Sequence, residues 1–260
     1  MNGTKYAIIT GATGGLGKAF VYALAKRGYA LILTGRSEDK LLALKQELNV
    51  PVIVCPADLS KADERTALFE EIEKQGIKIN MLVNVAGADI QKPFTDYTQE
   101  KIAFQCRVNF ETAVSCCHFA IKNRAERLEI INITSVSGIY PMPYFSIYSA
   151  TKSALTSFSV ALREEVKGKN IAVTAILPGA MPTREDIKEQ IKGQGLWGKL
   201  AVKSPAWVAE YSLKMVKKNK AKKIAGFWNK VMRVGTACIP TKWKLHFIAK
   251  RWSKISKDAF

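Results

Sequence analysis

The sequence predicts an α/β fold: a doubly wound, mostly parallel sheet with helices on both faces, formed as a single domain. Short apolar runs rich in β-branched residues alternate with stretches of helical period from the N-terminus onward. Uninterrupted apolar strands are typical of parallel sheets whose two faces are both covered by helices. The 260 residues suffice for one large domain, with a core over about 1–226 and a basic, aromatic C-terminal extension over about 227–260.

The elements follow one another in an order that predicts repeated βα units with right-handed crossovers. The predicted strands lie at residues 6–10, 30–34, 52–55, 81–84, 130–134 and 172–177, with a final edge strand at 222–226. The predicted helices lie at 16–27, 40–48, 62–74, 99–122 and 148–166. Ser204 and Pro205 predict the N-cap and the first turn of another helix.

The segment after Pro178 and Gly179 has weaker periodicity and contains Gly193, Gly195 and Gly198. Two interpretations stay open for it. It is either a mobile element that covers the substrate or an ordinary surface excursion.

Composition narrows the class of protein. Five cysteines without paired or CxxC spacing predict reduced thiols in a cytoplasmic protein and no metal site. No apolar run reaches the roughly 18 residues of a membrane span, and the first residues lead directly into a strand, which predicts no signal peptide. The net charge of +18 is concentrated at the end, where residues 211–260 contain fourteen Lys and Arg against a single Asp258.

A glycine-rich turn stands between the first strand and the first helix, where residues 10–17 read Thr-Gly-Ala-Thr-Gly-Gly-Leu-Gly. Glycine permits positive φ and close approach of the backbone to a ligand, and a helix N-terminus offers free N–H groups to a phosphate. Tight strand–helix turns need glycine anyway. The position after the first strand is therefore what favours a Rossmann-type dinucleotide site.

The end of the second strand predicts which dinucleotide is bound. NAD-binding folds usually place an acidic residue there for the ribose hydroxyls, whereas this chain has Thr34, Gly35 and Arg36. No carboxylate repels a 2′-phosphate, and the Arg36 guanidinium is able to pair with it. The pattern favours NADP(H), and the alternative is that Arg36 is a solvated residue ahead of the helix.

A second group of residues predicts proton transfer. Tyr148 and Lys152 are four apart and share one face if the segment is helical. A nearby ammonium lowers the pKa of a phenol, which then donates and accepts protons near neutrality. Ser135 follows a predicted strand, where its hydroxyl is able to polarise a carbonyl. Singly, these residues have structural alternatives, a surface pair and a turn; together, behind a glycine turn, they indicate an oxidoreductase.

With these motifs the chain strongly resembles the short-chain dehydrogenase/reductase superfamily over about residues 5–226. The resemblance depends on the order of the motifs as well as on their residues. Besides the glycine turn, the matching residues are Asp58, the stretch Asn84-Val85-Ala86-Gly87, Asn109, Ser135, Tyr148-x-x-x-Lys152, and Pro178-Gly179 followed by Thr183.

The resemblance implies a role for each matching residue. Tyr148 is the general acid/base, Ser135 orients the substrate carbonyl, Lys152 lowers the phenol pKa and holds the ribose, and Asn109 keeps a water in a proton relay. Asp58 meets the adenine ring. A helix N-cap for Asp58 and a polar residue inside a helix for Asn109 stay open as alternatives. The implied cofactor-binding residues are Thr10, Gly11, Thr13, Gly14, Gly15, Leu16, Gly17, Arg36, Asp58, Leu59, Asn84, Ala86, Gly87, Tyr148, Lys152, Pro178, Gly179 and Thr183.

Two departures from the family pattern stand out. Val85 replaces the second asparagine of the usual Asn-Asn-Ala-Gly, which predicts a change in packing rather than in chemistry. The basic extension replaces the usual glycine-rich ending. The family resemblance implies a homo-oligomer, a dimer or tetramer through helices 99–122 and 148–166. The extension puts both this oligomer and the usual substrate pocket in question. The extension loosely resembles those of family members that reduce lipophilic carbonyls such as 3-oxoacyl chains or steroids.

The extension predicts an amphipathic basic helix that begins at Pro240 and Thr241, with the pattern of a monotopic membrane anchor. Three interpretations stay open: the helix packs on its own enzyme or on a partner subunit, it lies on an anionic membrane surface, or it binds an acidic carrier protein. Nucleic acid is disfavoured, because the chain has no recognisable nucleic-acid-binding motif. The apolar residues that recur at steps of three and four are Trp243, Leu245, Phe247, Ile248, Trp252 and Ile255.

The sequence thus predicts an NADP(H)-dependent oxidoreductase that interconverts a ketone and a secondary alcohol, with a lipophilic 3-oxoacyl or steroid-like substrate. The cofactor carries the redox chemistry and the protein supplies positioning. The alternative from another class is a catalytically inactive scaffold protein that senses the dinucleotide, and the retention of Ser135, Tyr148 and Lys152 argues against it. The predicted location is the cytoplasm, with peripheral association at a membrane surface left open.

Overall fold

A seven-stranded sheet forms the centre of the computed structural model, which describes residues 3–182 and 201–253. Its strands are β1 (Tyr6–Thr10), β2 (Ala30–Gly35), β3 (Val52–Pro56), β4 (Ile79–Asn84), β5 (Arg124–Ile133), β6 (Ile171–Leu177) and β7 (Lys222–Ile224). They lie in the order β3-β2-β1-β4-β5-β6-β7, and every neighbouring pair is parallel. The predicted fold class is confirmed.

Helices pack on both faces of this sheet, as its buried strands require. A π-helical turn, Arg107–Glu111, links α4 to α5 in the following set. The helices are α1 (Gly15–Ala25), α2 (Glu38–Gln46), α3 (Ala62–Lys74), α4 (Gln99–Cys106), α5 (Thr112–Lys122), α6 (Ser146–Glu165), α7 (Pro205–Lys217), α8 (Phe227–Gly235) and α9 (Thr241–Trp252).

Alternate side chains of the strands enter opposite layers of the core. Ile9, Leu31 and Leu33 are buried in one layer, whereas Ile8 and Ile32 are buried in the other. Because successive side chains of a strand point to opposite faces, only runs that are apolar throughout fill both layers. Helices α1, α2 and α7 contribute to the first layer, and α3 and α5 contribute to the second.

The strand order reverses at β1, which fixes where a ligand can enter. β1 pairs with β2 on one side and with β4 on the other, so that Thr10 lies opposite both Thr34 and Asn84. Ligands of open α/β sheets bind outside the carboxyl ends of the strands at such a reversal. The carboxyl ends of β1 and β4 therefore mark the edge of interest.

Three elements differ from the sequence-based expectation by more than two residues at an end. Strand β5 begins at Arg124 rather than at residue 130. Its first half is charged and partly exposed, so the search for apolar runs does not include it. The helix predicted over 99–122 is divided by the π-helical turn. Helix α8 has no counterpart among the predicted helices, although its apolar residues recur at helical spacing, and the structure leaves these side chains exposed. The glycines at 193, 195 and 198, and Ile255, lie outside the described residues.

Two features bear on the predicted class of protein. All five cysteines are free, and burial raises the pKa of Cys117 to about 12, which keeps this thiol protonated and unreactive. Within the described ranges, every helix is too short or too polar to cross a lipid bilayer.

Candidate active site

A cleft of about 770 Å³ opens at the carboxyl edge of the sheet, between the turn after β1 and helices α6, α8 and α9. Thr10, Asn84 and Asn109 are buried behind its surface, and Thr183 lies outside the described residues. The other predicted site residues all line the cleft: Gly11, Thr13, Gly14, Gly15, Leu16, Gly17, Arg36, Asp58, Leu59, Ala86, Gly87, Ser135, Tyr148, Lys152, Pro178 and Gly179.

The glycine turn at the floor of the cleft is tightly packed. Gly11 has a φ of 63°, in the left-handed region, and a methyl group there would lie 3.0 Å from the Ala86 Cα. A methyl group on Gly17 would overlap the Gly11 carbonyl oxygen. Helix α1 begins at Gly15 and has no side-chain cap. Its first N–H groups are therefore available at the cleft, where the positive end of the helix dipole favours an anion.

Two predicted residues support the turn from behind instead of lining it. The Thr10 hydroxyl oxygen accepts hydrogen bonds from the backbone N–H groups of Val85 at 3.0 Å and Ala86 at 3.1 Å. The Asn84 side-chain amide donates to Asn132 Oδ1 at 2.8 Å. These bonds tie β1 and β5 to β4, so both residues act on the cleft through the backbone that they hold. Val85, the departure from the family pattern, lines the cleft.

Arg36 and Asp58 stand together at the end of the cleft beyond β2 and β3. Asp58 Oδ1 accepts from the backbone N–H of Ser60 at 3.0 Å and from its hydroxyl at 2.7 Å. Burial opposes ionisation of Asp58, but the bonds from Ser60 and the charges of Arg36 and Lys61 outweigh it and hold its pKa below the usual value. The N-cap of α3 is Lys61, so the interpretation of Asp58 as that helix's N-cap is wrong.

Tyr148, Lys152 and Ser135 meet on one wall of the cleft. Helix α6 carries the tyrosine and the lysine on one face, and Lys152 Nζ lies 5.7 Å from the centroid of the Tyr148 ring. Lys152 Nζ donates to the Ile133 carbonyl at 3.1 Å, which anchors it to the end of β5. Ser135 follows that strand and lines the cleft with Tyr148, close enough for its hydroxyl to lower the pKa of the phenol. The arrangement puts a hydroxyl, a phenol and an ammonium around one space.

The protonation of this group differs from the expectation. Burial raises the pKa of the Tyr148 phenol well above its ordinary value, and the Asp89 carboxylate raises it further, while the nearby Ser135 hydroxyl only partly offsets them. Burial lowers the pKa of Lys152 to about 8, against the attraction of Asp89. The expectation that Lys152 brings the phenol pKa toward neutrality is therefore not met. Lys152 is buried and Tyr148 is half-buried, and the loss of water shifts each group toward its uncharged form, although Lys152 remains mainly an ammonium at neutral pH.

Asn109 lies in the π-helical turn behind Lys152. Its Oδ1 accepts from the Ala88 N–H at 2.7 Å, and its Nδ2 donates to the Ala88 carbonyl at 2.9 Å and to Thr151 Oγ1 at 3.2 Å. A methyl group on Gly87 would lie 2.9 Å from Asn109 Oδ1 and 3.2 Å from Lys152 Nζ. The asparagine therefore fixes the backbone next to the lysine. π-helical turns inside α-helices occur frequently at functional sites.

The structure adds cleft residues that the sequence motifs do not identify. Asp89 and Gln91 follow the Ala86-Gly87 stretch and line the cleft. Gln91 is 2% exposed, and its Nε2 finds no hydrogen-bond partner among the described residues. The only sequence signal for either residue is its position just after β4, at the ligand-binding edge.

An aromatic wall forms the other side of the cleft. The Phe145 ring stacks on Tyr148 with 4.2 Å between centroids and on Trp252 with 6.0 Å. Phe247 and Ile248 of α9 line the same space. The interpretation that the C-terminal helix packs on its own enzyme thus holds for one face of α9. Within the described part of the chain, no His, Cys, Asp and Glu side chains are grouped to hold a metal ion.

Comparisons of the sequence place this site among known proteins. A family model described as short chain dehydrogenase matches residues 5–192. "Uncharacterized oxidoreductase YvrD" of Bacillus subtilis (strain 168) is 38% identical over 179 residues, which cover 67% of this chain and 68% of that protein. "Very-long-chain 3-oxoacyl-CoA reductase" of Mus musculus is 33% identical over 195 residues, which cover 69% of this chain and 60% of the mouse protein.

Solved structures share the architecture over most of their length. A structure described as a 7beta-hydroxysteroid dehydrogenase superposes with a TM-score of 0.83 at 26% identity, over 94% of this chain and 96% of that one. The L-sorbose reductase from Gluconobacter frateurii, complexed with NADPH and L-sorbose, superposes with a TM-score of 0.75 at 26% identity, over 86% of this chain and 95% of that one.

Proposed function

The chain belongs to the short-chain dehydrogenase family, and we propose that it is an NADP(H)-dependent oxidoreductase that interconverts a ketone and a secondary alcohol. One observation carries the proposal: Tyr148, Ser135 and Lys152 line the same cleft as the glycine turn. A proton-transfer group and a phosphate-binding turn then face a common space. Transfer of a hydride and a proton to one carbonyl requires that proximity.

The cleft has the features that a dinucleotide requires. The uncapped N-terminus of α1 offers N–H groups to a pyrophosphate. Gly87 keeps the space beside Lys152 open, because a side chain there would meet the lysine and Asn109. The backbone at Pro178 and Gly179 lines the far end of the same space. When bound, the nicotinamide ring supplies the hydride.

Arg36 supports NADP(H) over NAD(H). It lines the cleft at the end of β2, where NAD-binding folds usually carry an acidic residue. Its guanidinium is able to form paired, charge-assisted hydrogen bonds with a 2′-phosphate. The L-sorbose reductase that superposes on this chain is complexed with NADPH, which agrees with the proposal.

The protein's own groups complete the reaction. In the reductive direction, the Tyr148 hydroxyl donates its proton to the carbonyl oxygen, and the Ser135 hydroxyl hydrogen-bonds the same oxygen and orients it. The Lys152 ammonium, anchored to Ile133, stabilises the phenolate that forms. Asn109 holds the backbone behind the lysine, and the implied relay water remains part of the proposal.

The lining of the cleft supports a lipophilic substrate. Phe145 and Trp252, together with Ile139 and Met142, form an apolar and aromatic wall next to Tyr148. Desolvating an apolar chain against such a wall contributes about 25 cal/mol for each Å² buried. The mouse relative acts, by its name, on very-long-chain 3-oxoacyl-CoA, and one structural neighbour is described as a hydroxysteroid dehydrogenase. We propose a 3-oxoacyl or steroid-like ketone.

We also propose a homo-oligomer, a dimer or a tetramer, that associates through the outer faces of helices α4 to α6. Val160 of α6 is 40% exposed, a large apolar side chain on that face. Sedimentation velocity measures the state directly. A monomer over the whole accessible concentration range would contradict this part of the proposal.

The test is to offer the enzyme a panel of ketones with NADPH as reductant. The decrease in NADPH absorbance measures the rate of each reaction. Tyr148→Phe removes the proton donor and is expected to lower kcat by about 10²–10⁴-fold, while NADPH binding stays within about twofold. Tyr22→Phe, a surface tyrosine outside the cleft, is the matched control and should retain full activity. If no ketone in the panel is reduced although NADPH binds tightly, the result would instead favour the inactive dinucleotide-sensing scaffold.

A further inference from the structure

The helices at the C-terminal end carry an unusual number of exposed apolar side chains. Val234 is 73% exposed, Trp243 72%, Phe247 68% and Phe227 67%. We call these four residues, with Val231, the outer apolar surface. Large exposed apolar groups that occur together mark a surface that contacts another molecule or a membrane.

Helix α8 has the reverse of the usual polarity of a surface helix. Its buried residue is polar: Asn229 Nδ2 donates to the carbonyls of Ala201 at 3.1 Å and Ala225 at 2.7 Å. Phe227, Val231 and Val234, spaced as i, i+4 and i+7, share the opposite face and are exposed. A helix that only covered the enzyme would turn these residues inward. The outward direction of this face therefore indicates that it contacts another molecule or a membrane.

Helix α9 divides its aromatic residues between two directions. Trp252 points inward and stacks on Phe145 in the cleft. Trp243 and Phe247, one turn apart, are exposed. The inward contact anchors the helix on the enzyme, and the outward pair extends the surface that α8 begins.

The charge around the outer apolar surface identifies its occupant. No acidic residue occurs between Glu210 and Asp258. A second copy of this chain, docked face to face, would bring like charges together. Tryptophan and phenylalanine bordered by lysine and arginine are instead typical of helices that lie in the headgroup region of anionic bilayers. The basic residues of this surface whose side chains are described are Lys230, Arg233, Lys242, Lys244 and Lys250.

We propose that α8 and α9 dock the enzyme on the surface of a bilayer that contains anionic lipids. The apolar side chains enter the headgroup region, and the lysines and arginines pair with lipid phosphates and carboxylates. The mode of binding is monotopic, since helices α8 and α9 are too short to cross the bilayer.

The mouth of the catalytic cleft opens on the same surface. Met232 and Phe247 line the cleft and are nevertheless 48% and 68% exposed. Docking therefore brings the opening next to the bilayer. This second step rests on the proposed function: a lipophilic ketone dissolved in the membrane passes between α8 and α9 to Tyr148 without crossing water.

Co-sedimentation of the full-length protein with vesicles tests the docking without cofactor or substrate. Vesicles of phosphatidylcholine alone are compared with vesicles that also contain phosphatidylserine, at low and high salt. We expect binding to the anionic vesicles only, and weaker binding at high salt. Absence of the protein from both pellets at low salt would overturn the proposal.

Two variants and their controls assign the binding to this surface. Lys230→Glu combined with Lys242→Glu is expected to weaken binding by at least about 25-fold, since each basic residue near an anionic surface strengthens binding about fivefold. Trp243→Ser is expected to weaken it severalfold. The matched controls are Phe94→Ser, an aromatic side chain that is 62% exposed elsewhere, and Lys45→Glu combined with Lys74→Glu on α2 and α3. Equal losses in variants and controls would contradict the assignment.

Two further measurements separate this proposal from its alternatives and from the proposed function. If Trp243→Ser converts an oligomer to a monomer without changing vesicle binding, the surface is a contact between copies, and the docking proposal fails. A short, water-soluble ketone reports the reductase activity alone, and Trp243→Ser should reduce it at the wild-type rate. With a long-chain ketone carried in anionic vesicles, the same variant should be severalfold slower.

Discussion

The Phe145 and Trp252 rings stack with 6.0 Å between their centroids and 11° between their planes. Phe145 also stacks on Tyr148 at 4.2 Å. A helix of the C-terminal extension thus reaches Tyr148, the proposed proton donor, through a single aromatic side chain. The wall that a substrate would contact is shared between α6 and α9, two elements far apart in the chain.

Replacing Trp252 by alanine should weaken binding of a long lipophilic ketone. Loss of the apolar surface that Trp252 offers the ketone, at about 25 cal/mol for each Å² buried, should raise KM severalfold, while the affinity for NADPH stays unchanged. Steady-state kinetics with a soluble medium-chain ketone measure the effect. Trp207→Ala, on α7 outside the cleft, is the matched control, and the same rise in KM there would show that the effect is not specific.

Arg36→Asp should shift the cofactor preference toward NADH. Charge-assisted hydrogen bonds contribute about 1.5–3 kcal/mol, so the affinity for NADPH should fall by about 10–100-fold, and the new carboxylate should accept hydrogen bonds from the ribose of NADH. Fluorescence titration with both nucleotides measures the change. Lys40→Asp on α2, which leaves the end of β2 intact, serves as the charge control. Unchanged NADPH affinity in Arg36→Asp would reject the assignment.

Gly17→Ala should destabilise the fold. The new methyl group would overlap the Gly11 carbonyl oxygen, a backbone atom that cannot move without opening the turn. Overpacking of this kind costs about 1–3 kcal/mol, and the free energy of unfolding in urea should fall by at least that amount. Gly235→Ala is the control, because a methyl group there has no neighbour within 4 Å among the described residues. Equal stability of the two variants would argue against a tightly packed turn.

Lys152 should make stability rise with pH above about 8. Burial lowers its pKa from 10.5 to about 8 in the folded protein. Between pH 8 and 10 the unfolded chain therefore binds more protons at this side chain than the folded one, so the free energy of unfolding increases with pH. The raised pKa of Tyr148 changes the free energy of unfolding only above about pH 10, where the phenol ionises in the unfolded chain.

Lys152→Met removes this contribution. The expected result is a smaller rise of the unfolding free energy between pH 8 and 10, by an amount on the order of 3 kcal/mol at most. Urea unfolding over this pH range, compared with the parent protein, measures it. Parallel profiles for the two proteins would mean that the lysine titrates as a solvated residue.

Local patterns in the chain predict most of the fold and the chemical core of the site. The sheet follows from apolar runs such as 30–34, and Tyr148 and Lys152 share a face because helical spacing alone determines that relation. The direction of the Tyr148 pKa is different, because it depends on burial by residues distant in sequence. Spacing shows that an ammonium is near; it does not show how far each of the two groups is removed from water.

Contacts between distant segments account for the other differences. Phe145 and Trp252 come into contact only through the tertiary fold, and no periodic pattern in the sequence predicts that pair. The apolar spacing of Phe227, Val231 and Val234 is present in the sequence, but spacing does not show that this face of α8 points outward. The π-helical turn at Arg107–Glu111 carries Asn109, whose bonds with the Ala88 backbone join two elements across the site and are not visible in the sequence.

The position of α9 in the cleft also sets the order in which the enzyme is completed on the ribosome. Chains emerge N-terminus first, so the segments that form the glycine turn and β1 to β6 leave the ribosome before Phe247 and Trp252. The residues of the proposed nucleotide site are therefore synthesised before the helix that closes the proposed substrate wall. A chain that ends before α9 would keep the residues of the first and lack those of the second.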